Sequence, residues 1–361
     1  FIKKQFIIFA LLLFVTSTSI AFELDENQIS TQYYLSYDIE NNLILYSSNI
    51  DEYISPASIT KLMTALLLYE NANLSNLVTI TYPNNYSFEG KVAYLEQGSQ
   101  ISVEQLLEFL LVYSANDSAY ATAEYVSGST EEFINLMNKR ASQLNMNNTS
   151  YQNPDGLDEL NHFTTLNDLL TLTIYILENT KLIDITNKEK FYYDQSGEVR
   201  EYKNTNLLIN KGFMGLKTGW TSNAGLTFIG YNQNDNRNII TIVNKSFVDD
   251  NKQTHFEDTK KLYEESIYNF YKNIIVNESA PIYKIINSYE STIYSAESRI
   301  TKFGFKDTLT KIEINNLQES KVSFKNYFDK EIIEFQLYDS KSKIRYKFIK
   351  SNILSKIFSS N

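Results

Sequence analysis

The sequence predicts an α/β fold, an antiparallel sheet flanked by helices, followed by a small all-β domain. Three observations predict it. Apolar residues recur at helical spacing over 58–69, directly after an alternating, hairpin-like stretch. Runs rich in Ile, Val, Thr and Phe lie at 216–221, 225–231 and 238–244, and a helical pattern over 256–271 follows them. After Ala280 and Pro281 only short β-like runs remain, at 308–314, 331–337 and 344–349. Strands at both ends of the larger part, with helices between, are the pattern of a sheet covered by helices.

The chain has 361 residues, more than one core usually organises. Residues 1–21 read as a secretory signal peptide. Lys3 and Lys4 precede an apolar run from Phe6 to Val15, and small and polar residues lead to Ala21. The run is too short for a membrane span, which needs about 20 apolar residues. The expected divisions are therefore the signal at 1–21, a larger domain at 22–277 and a C-terminal β domain at 278–361. The expected location is outside the cytoplasm, in a periplasm or on the outer face of the cytoplasmic membrane.

Along the larger domain, residues 32–48 alternate around Glu40, Asn41 and Asn42 as a hairpin does. Ile59, Leu62, Met63, Leu66 and Leu67 then mark a helix entered through Pro56, with Ser58 at its start. Helical patterns at 103–113 and 119–126 bracket Ser114, Ala115, Asn116 and Asp117, which reads as a loop able to point side chains into a cleft. Further helices are expected at 130–144 and 166–178.

Hydrophobic residues make up 43% and charged residues 21%, the balance of an ordinary globular protein and not of a disordered one. The formal net charge of −10 argues against nucleic acid as a partner. There is no cysteine, which excludes thiol catalysis, cysteine metal sites and disulfides. With His162 and His255 the only histidines, neither a metal centre nor a cofactor is expected.

Three short elements carry chemistry. Ser58 and Lys61 stand three apart on one helix face, so the amine can reach the hydroxyl. Burial disfavours a lysine's charged form, and a neutral amine can take the serine's proton. Ser114 and Asn116 lie 56 and 58 positions on. They serve as a proton relay and a hydrogen-bonding group for a substrate amide, or simply cap a helix. Lys217, Thr218 and Gly219 fall on an expected strand. There a lysine and a hydroxyl suit a carboxylate, and glycine lets a substrate backbone lie against the strand edge. Each element alone has an ordinary structural reading; the three in this order are jointly specific.

The chain resembles the low-molecular-mass penicillin-binding proteins, serine-type D-alanyl-D-alanine carboxypeptidases. The resemblance spans about residues 30–270. It takes in 56–65 (PASITKLMTA), 113–118 (YSANDS), 153–157 (NPDGL), 204–208 (NTNLL) and 215–225 (GLKTGWTSNAG). It implies a transpeptidase/β-lactamase-like sandwich in which Ser58 attacks the bond between two terminal D-alanines of a peptidoglycan pentapeptide. Lys61 accepts the proton, and the backbone N–H groups of Ser58 and Trp220 form the oxyanion hole. Lys217 and Thr218 hold the terminal carboxylate, and β-lactam antibiotics acylate the same serine. Two positions depart from the family's pattern: Met214 stands where an aspartate is usual, and His255 where an arginine helps bind the carboxylate. A histidine titrates near neutrality, so carboxylate binding is expected to be weaker and to improve as pH falls from about 8 to 5.5.

Other readings remain open at this stage. A class A-like β-lactamase needs a glutamate to activate water, and the one offered, Glu159, lies 43 positions after Asn116, farther than that family places it. A catalytically idle peptidoglycan-binding scaffold and an endopeptidase acting on cross-links would keep the same cleft. Ile353, Leu354, Ile357 and Phe358 form a short apolar stripe beside Lys356 that suits peripheral membrane contact.

Overall fold

The computed structural model of the chain describes residues 23–25, 28–82, 87–234 and 237–276, and six strands beyond them. The expected signal peptide, the run at 344–349 and the apolar stripe at 353–358 lie outside the described residues. Internal contacts divide the chain into one unit at Ala21–Tyr268 and another from Asn269.

The larger unit opens with strands β1 (Tyr33–Asp38) and β2 (Leu43–Ser48), paired antiparallel. The Asp38 carboxylate accepts the backbone and side-chain N–H groups of Asn41 at 2.9 and 2.8 Å, and Asn42 takes the left-handed conformation the turn requires. A short 3₁₀ turn, Ala57–Thr60, leads into α1 (Lys61–Asn71). Its residues 61–68 are all buried, so α1 is a central helix that meets solvent only in its last turn. Strands β3 (Leu77–Thr79) and β4 (Gln100–Ser102) pair beside α2 (Val103–Glu108), whose start is closed by reciprocal Ser102–Gln105 bonds. A wide helical turn at Phe109–Tyr113 then precedes α3 (Asn116–Ser127).

Helices α4 (Thr130–Gln143) and α5 (Leu166–Asn179) start where Ser129 and Thr165 accept the N–H three residues on. After the short α6 (Leu182–Thr186) comes a hairpin, β5 (Lys190–Gln195) and β6 (Glu198–Lys203), that the sequence pattern did not announce. Strands β7 (Phe213–Thr221), β8 (Gly225–Asn234) and β9 (Arg237–Ser246) complete a five-stranded antiparallel sheet in the order β2-β1-β9-β8-β7.

Alternation along the strands places a core on each face of this sheet. Leu35, Ile229, Ile240 and Ile242 join the cluster that contains α1 and α5. On the opposite face Phe228 meets Phe256, Phe213 meets Tyr263, and the Ser36 hydroxyl lies 2.5 Å from that of Ser266, all on α7 (Thr254–Asn269). The result is the expected sheet between helical layers.

One boundary is corrected. The helix expected to run to 271 stops at Asn269, and Phe270–Val276 forms strand β10. The aromatic and β-branched residues Phe270, Tyr271, Ile274, Ile275 and Val276 favour an extended chain over a helix. The second unit holds β10 and the antiparallel strands β11 (Pro281–Ile286), β12 (Ser291–Ser295), β13 (Ile300–Phe305), β14 (Thr310–Glu313), β15 (Lys321–Asn326) and β16 (Ile332–Gln336). They pair as β10-β13, β11-β12 and β14-β15-β16.

Candidate active site

Ser58 sits in the 3₁₀ turn ahead of α1, not within the α-helix, and Lys61 is the first α-helical residue. The turn is held from outside. Ala57 adopts a positive φ of 49°, a strained choice for alanine. Gly156 lies so close that a Cβ there would stand 1.9 Å from the Ala57 carbonyl oxygen. Asn153 Oδ1 accepts the Gly156 N–H at 2.7 Å, and the Thr64 hydroxyl donates to the Pro154 carbonyl at 2.6 Å. The NPDGL segment therefore clamps the nucleophile's turn, a role its sequence alone did not disclose.

The Lys61 side chain is fully buried. Its Nζ lies 2.9 Å from Ser58 Oγ, 2.6 Å from Asn116 Oδ1 and 2.7 Å from the Asp155 carbonyl oxygen. Burial lowers its pKa to about 8, against the opposing pull of Asp155 and Asp117. An amine that has lost one proton keeps two N–H bonds, which the two carbonyl oxygens accept. Its lone pair then faces the Ser58 hydroxyl, the arrangement a general base requires.

The second serine–lysine pair joins different elements. Ser114 follows the wide turn Phe109–Tyr113 in the left-handed region, φ 72°, and this conformation starts α3 at Asn116. Lys217 on β7 is buried, and its Nζ donates to Ser114 Oγ and to the Thr218 carbonyl, each at 2.8 Å. Burial, reinforced by Lys61 and Lys91, lowers the Lys217 pKa well below the ordinary value. The Thr218 hydroxyl donates to Thr205 Oγ1 at 2.6 Å. Neighbouring Asn204 ties the 204–208 segment to the Thr186 and Lys188 carbonyls at 2.9 and 2.8 Å, so this segment braces the strand. Asn116 is engaged on both sides, since its Nδ2 donates to the Glu89 carbonyl at 2.7 Å. It positions Lys61 while leaving one amide hydrogen for a substrate.

Strand β7 is the edge of the sheet, so β8 pairs only one of its two rows of backbone groups. A Cβ on Gly219 would come within 3.1 Å of the Ser58 nitrogen, so glycine is what lets the strand approach the nucleophile's N–H. The next residue, Trp220, is 47% exposed. Ser58, Ser114, Asn116, Thr218, Gly219, Trp220 and His255 line one cleft of about 920 Å³, and Lys61 and Lys217 stand behind it on Ser58 and Ser114. Three distant stretches of sequence share this crevice.

Two expectations change. His255 lines the cleft but is 4% exposed, with its ring 3.9 Å from that of Phe256, and burial pushes its pKa down to about 4. It is neutral between pH 5.5 and 8, so the pH dependence expected over that range moves to more acid conditions. Glu159 is exposed, accepts the Asn153 side chain at 3.1 Å and does not line the cleft, so the β-lactamase-like reading loses its water-activating glutamate. His162 is structural. Its Nδ1 accepts the Gln152 N–H at 3.2 Å, and its Nε2 lies 3.0 Å from Thr60 Oγ1. Sequence reasoning did not single out Asp155 or Lys91, since neither belongs to a short catalytic motif; proximity alone brings them to Lys61.

The model of a peptidase family described as D-alanyl-D-alanine carboxypeptidase matches residues 20–247. The chain belongs to this family. Among its relatives, the D-alanyl-D-alanine carboxypeptidase DacF of Bacillus subtilis is 33% identical over 208 residues, 55% of this chain and 53% of that protein. The chain spans about half to three fifths of the length of the curated relatives it matches. The crystal structure of the D-alanyl-D-alanine carboxypeptidase DacD from Francisella tularensis shares the fold, with a TM-score of 0.67 at 21% identity over 91% of this chain and 96% of that one. Penicillin-binding protein D2 from Listeria monocytogenes, solved in its ampicillin-bound form, is 28% identical with a TM-score of 0.59, over 66% of this chain and 98% of that one. These likenesses carry the transpeptidase/β-lactamase-like fold of low-molecular-mass penicillin-binding proteins.

Proposed function

We propose that the chain is an exported serine D-alanyl-D-alanine carboxypeptidase that removes the last D-alanine from peptidoglycan pentapeptides through an acyl-enzyme on Ser58. The observation that carries this reading is the Lys61 amine, buried and 2.9 Å from the Ser58 hydroxyl. Ser58 Oγ attacks the carbonyl carbon between the two D-alanines while its proton passes to Lys61 Nζ. The negative oxygen that forms is held by the backbone N–H groups of Ser58 and Trp220, each contributing roughly 3 kcal/mol to the transition state. Ser114, in contact with Lys217, donates its proton to the departing nitrogen as the C–N bond breaks and recovers one from protonated Lys61, which returns to the neutral amine. Water then adds to the ester, its proton taken again by Lys61, and the shortened peptide leaves.

Lys217, Thr218 and His255 serve the terminal carboxylate, Asn116 an amide of the acyl half, and Gly219 the passage of the peptide along β7. β-Lactams acylate Ser58 in place of the peptide, in keeping with the ampicillin-bound relative. Residues 1–21 act as the export signal, and the catalytic domain ends where the C-terminal β domain begins. The test is to incubate protein lacking residues 1–21 with a pentapeptide and identify the products by mass spectrometry. Release of free D-alanine by wild type and none by Ser58→Ala supports the reading, together with covalent labelling by fluorescent penicillin in wild type alone. Peptidoglycan binding without either signal would mean an idle scaffold, and cleavage confined to cross-linked dimers an endopeptidase.

A further inference from the structure

We propose that Lys91 forms a second anion site in the cleft, one that takes a carboxylate on the acyl half of the substrate, the half retained on Ser58. The inference rests on the peptidase reading above and names a substrate feature that reading leaves open.

Position comes first. Ser58 lies between two walls of the cleft. One is β7, whose Gly219 abuts the Ser58 nitrogen, and the carboxylate-holding Lys217 and Thr218 stand on that strand. The other is the 89–91 segment, reached from Ser58 through Lys61 and Asn116. Asn116 Nδ2 donates to the Glu89 carbonyl at 2.7 Å, and its backbone N–H donates to the Lys91 carbonyl at 2.7 Å. A peptide that runs along β7 past Gly219, with its scissile carbonyl at Ser58, presents acyl-half side chains across the cleft to the wall that carries Lys91.

The segment is also preorganised. Besides the Asn116 bond to Lys91, the buried Asp117 carboxylate accepts the N–H groups of Ala93 and Leu95 at 3.0 Å each. The backbone under Lys91 is thereby fixed to the start of α3, the element that also carries Asn116.

The third point is chemical. Several lysines of this unit pair with acids: Lys188 with Glu104 and Glu108, Lys190 with Glu201, Lys261 with Glu265. Lys252, across the cleft, instead lies over the Trp220 ring as Lys91 lies over Tyr113. Lys91 lies on no carboxylate among the described residues. The residue is exposed, and its ammonium sits 4.1 Å from the Tyr113 ring centroid. Partial desolvation there lowers its pKa, and no neighbouring acid raises it. Glu89 lines the same cleft but forms no ion pair with Lys91, so a partly desolvated cation with an aromatic face on one side and no paired carboxylate is left for an incoming one.

The experiment uses two D-alanyl-D-alanine peptides that differ only in one acyl-half side chain, a carboxylate in one and its carboxamide in the other. Wild type should favour the acid by about tenfold in kcat/KM, the size of one charge-assisted hydrogen bond. Lys91→Gln should bring the ratio to about one, and Lys91→Glu should invert it. The ratio cancels any effect of Lys91 on the basicity of Lys61, which would slow both peptides equally. An equal loss on both, with the preference kept, overturns the proposal. So does a preference lost in Lys252→Gln, whose ammonium lies over Trp220 on the other wall, and kept in Lys91→Gln. Wild type that releases D-alanine from both peptides at one rate sinks the anion site and leaves the peptidase. Wild type that releases none, and takes no fluorescent penicillin, sinks the peptidase reading and the site with it.

Discussion

The cleft contains two serine–lysine pairs, and they are not equivalent. In the first, Lys61 is buried near Asp155 and Asp117, and these acids offset enough of the burial effect to leave its pKa at about 8. In the second, Lys217 is equally buried but has only Lys61 and Lys91 as charged influences, so every influence lowers its pKa and none opposes burial. In the proposed mechanism the same residue type in similar burial thus serves two purposes. Lys61 can gain and lose a proton near neutral pH, as a base must. Burial and two neighbouring cations disfavour the charged form of Lys217, and a carboxylate that arrives to pair with it would favour that form again. What separates them is the local count of acids, not solvent exposure.

The largest effect expected from breaking this comparison is at Lys61. Lys61→Met should slow acylation by fluorescent penicillin by about 10⁴-fold, the upper range for losing a general base. Its melting temperature should hold or rise, since an apolar side chain replaces a buried amine. Lys217→Met should cost about 10²-fold in kcat/KM on a D-alanyl-D-alanine peptide, and clearly less on an analogue whose terminal carboxylate is amidated. Equal losses on the two would show that Lys217 serves the chemistry and not the carboxylate.

Asp155→Asn sharpens the comparison by making Lys61 more like Lys217. In wild type only the unprotonated amine can accept the serine's proton. The acylation rate should therefore rise with pH and level off above about 8. Removing the acid removes a pull that raises the Lys61 pKa, so the midpoint should move down by about one unit. A midpoint that stays in place or moves up contradicts the account. The smallest effect concerns His255. KM for the peptide should be flat from pH 5.5 to 8 and change only as pH approaches 4, while His255→Arg should lower KM several-fold by supplying a permanent, forked cation.

Much of the fold was legible because its signals are local. The Asn-rich hairpin, the helix after Pro56, the β7–β9 strands and α7 follow from periodicity and turn chemistry within a dozen residues. The β5–β6 hairpin was not read. Neither was the end of α7, where two aromatic residues fit a helical stripe and a strand equally well. Of the candidate site, Ser58, Lys61, Ser114, Asn116, Lys217, Thr218 and Gly219 were named from motif order, since a hydroxyl and an amine three apart on a helix must meet.

By itself, then, the sequence determined which groups are present and the elements that carry them. Only the tertiary structure decided what those groups are worth. The titration of His255 depends on the Phe228 and Phe256 rings that exclude water from it. The basicity of Lys61 depends on acids 56 and 94 positions away, and the exposure of the Ser58 N–H on a glycine 161 positions on. A pKa and an approach distance are properties of a surrounding medium, and that medium is assembled from parts of the chain that no local pattern connects.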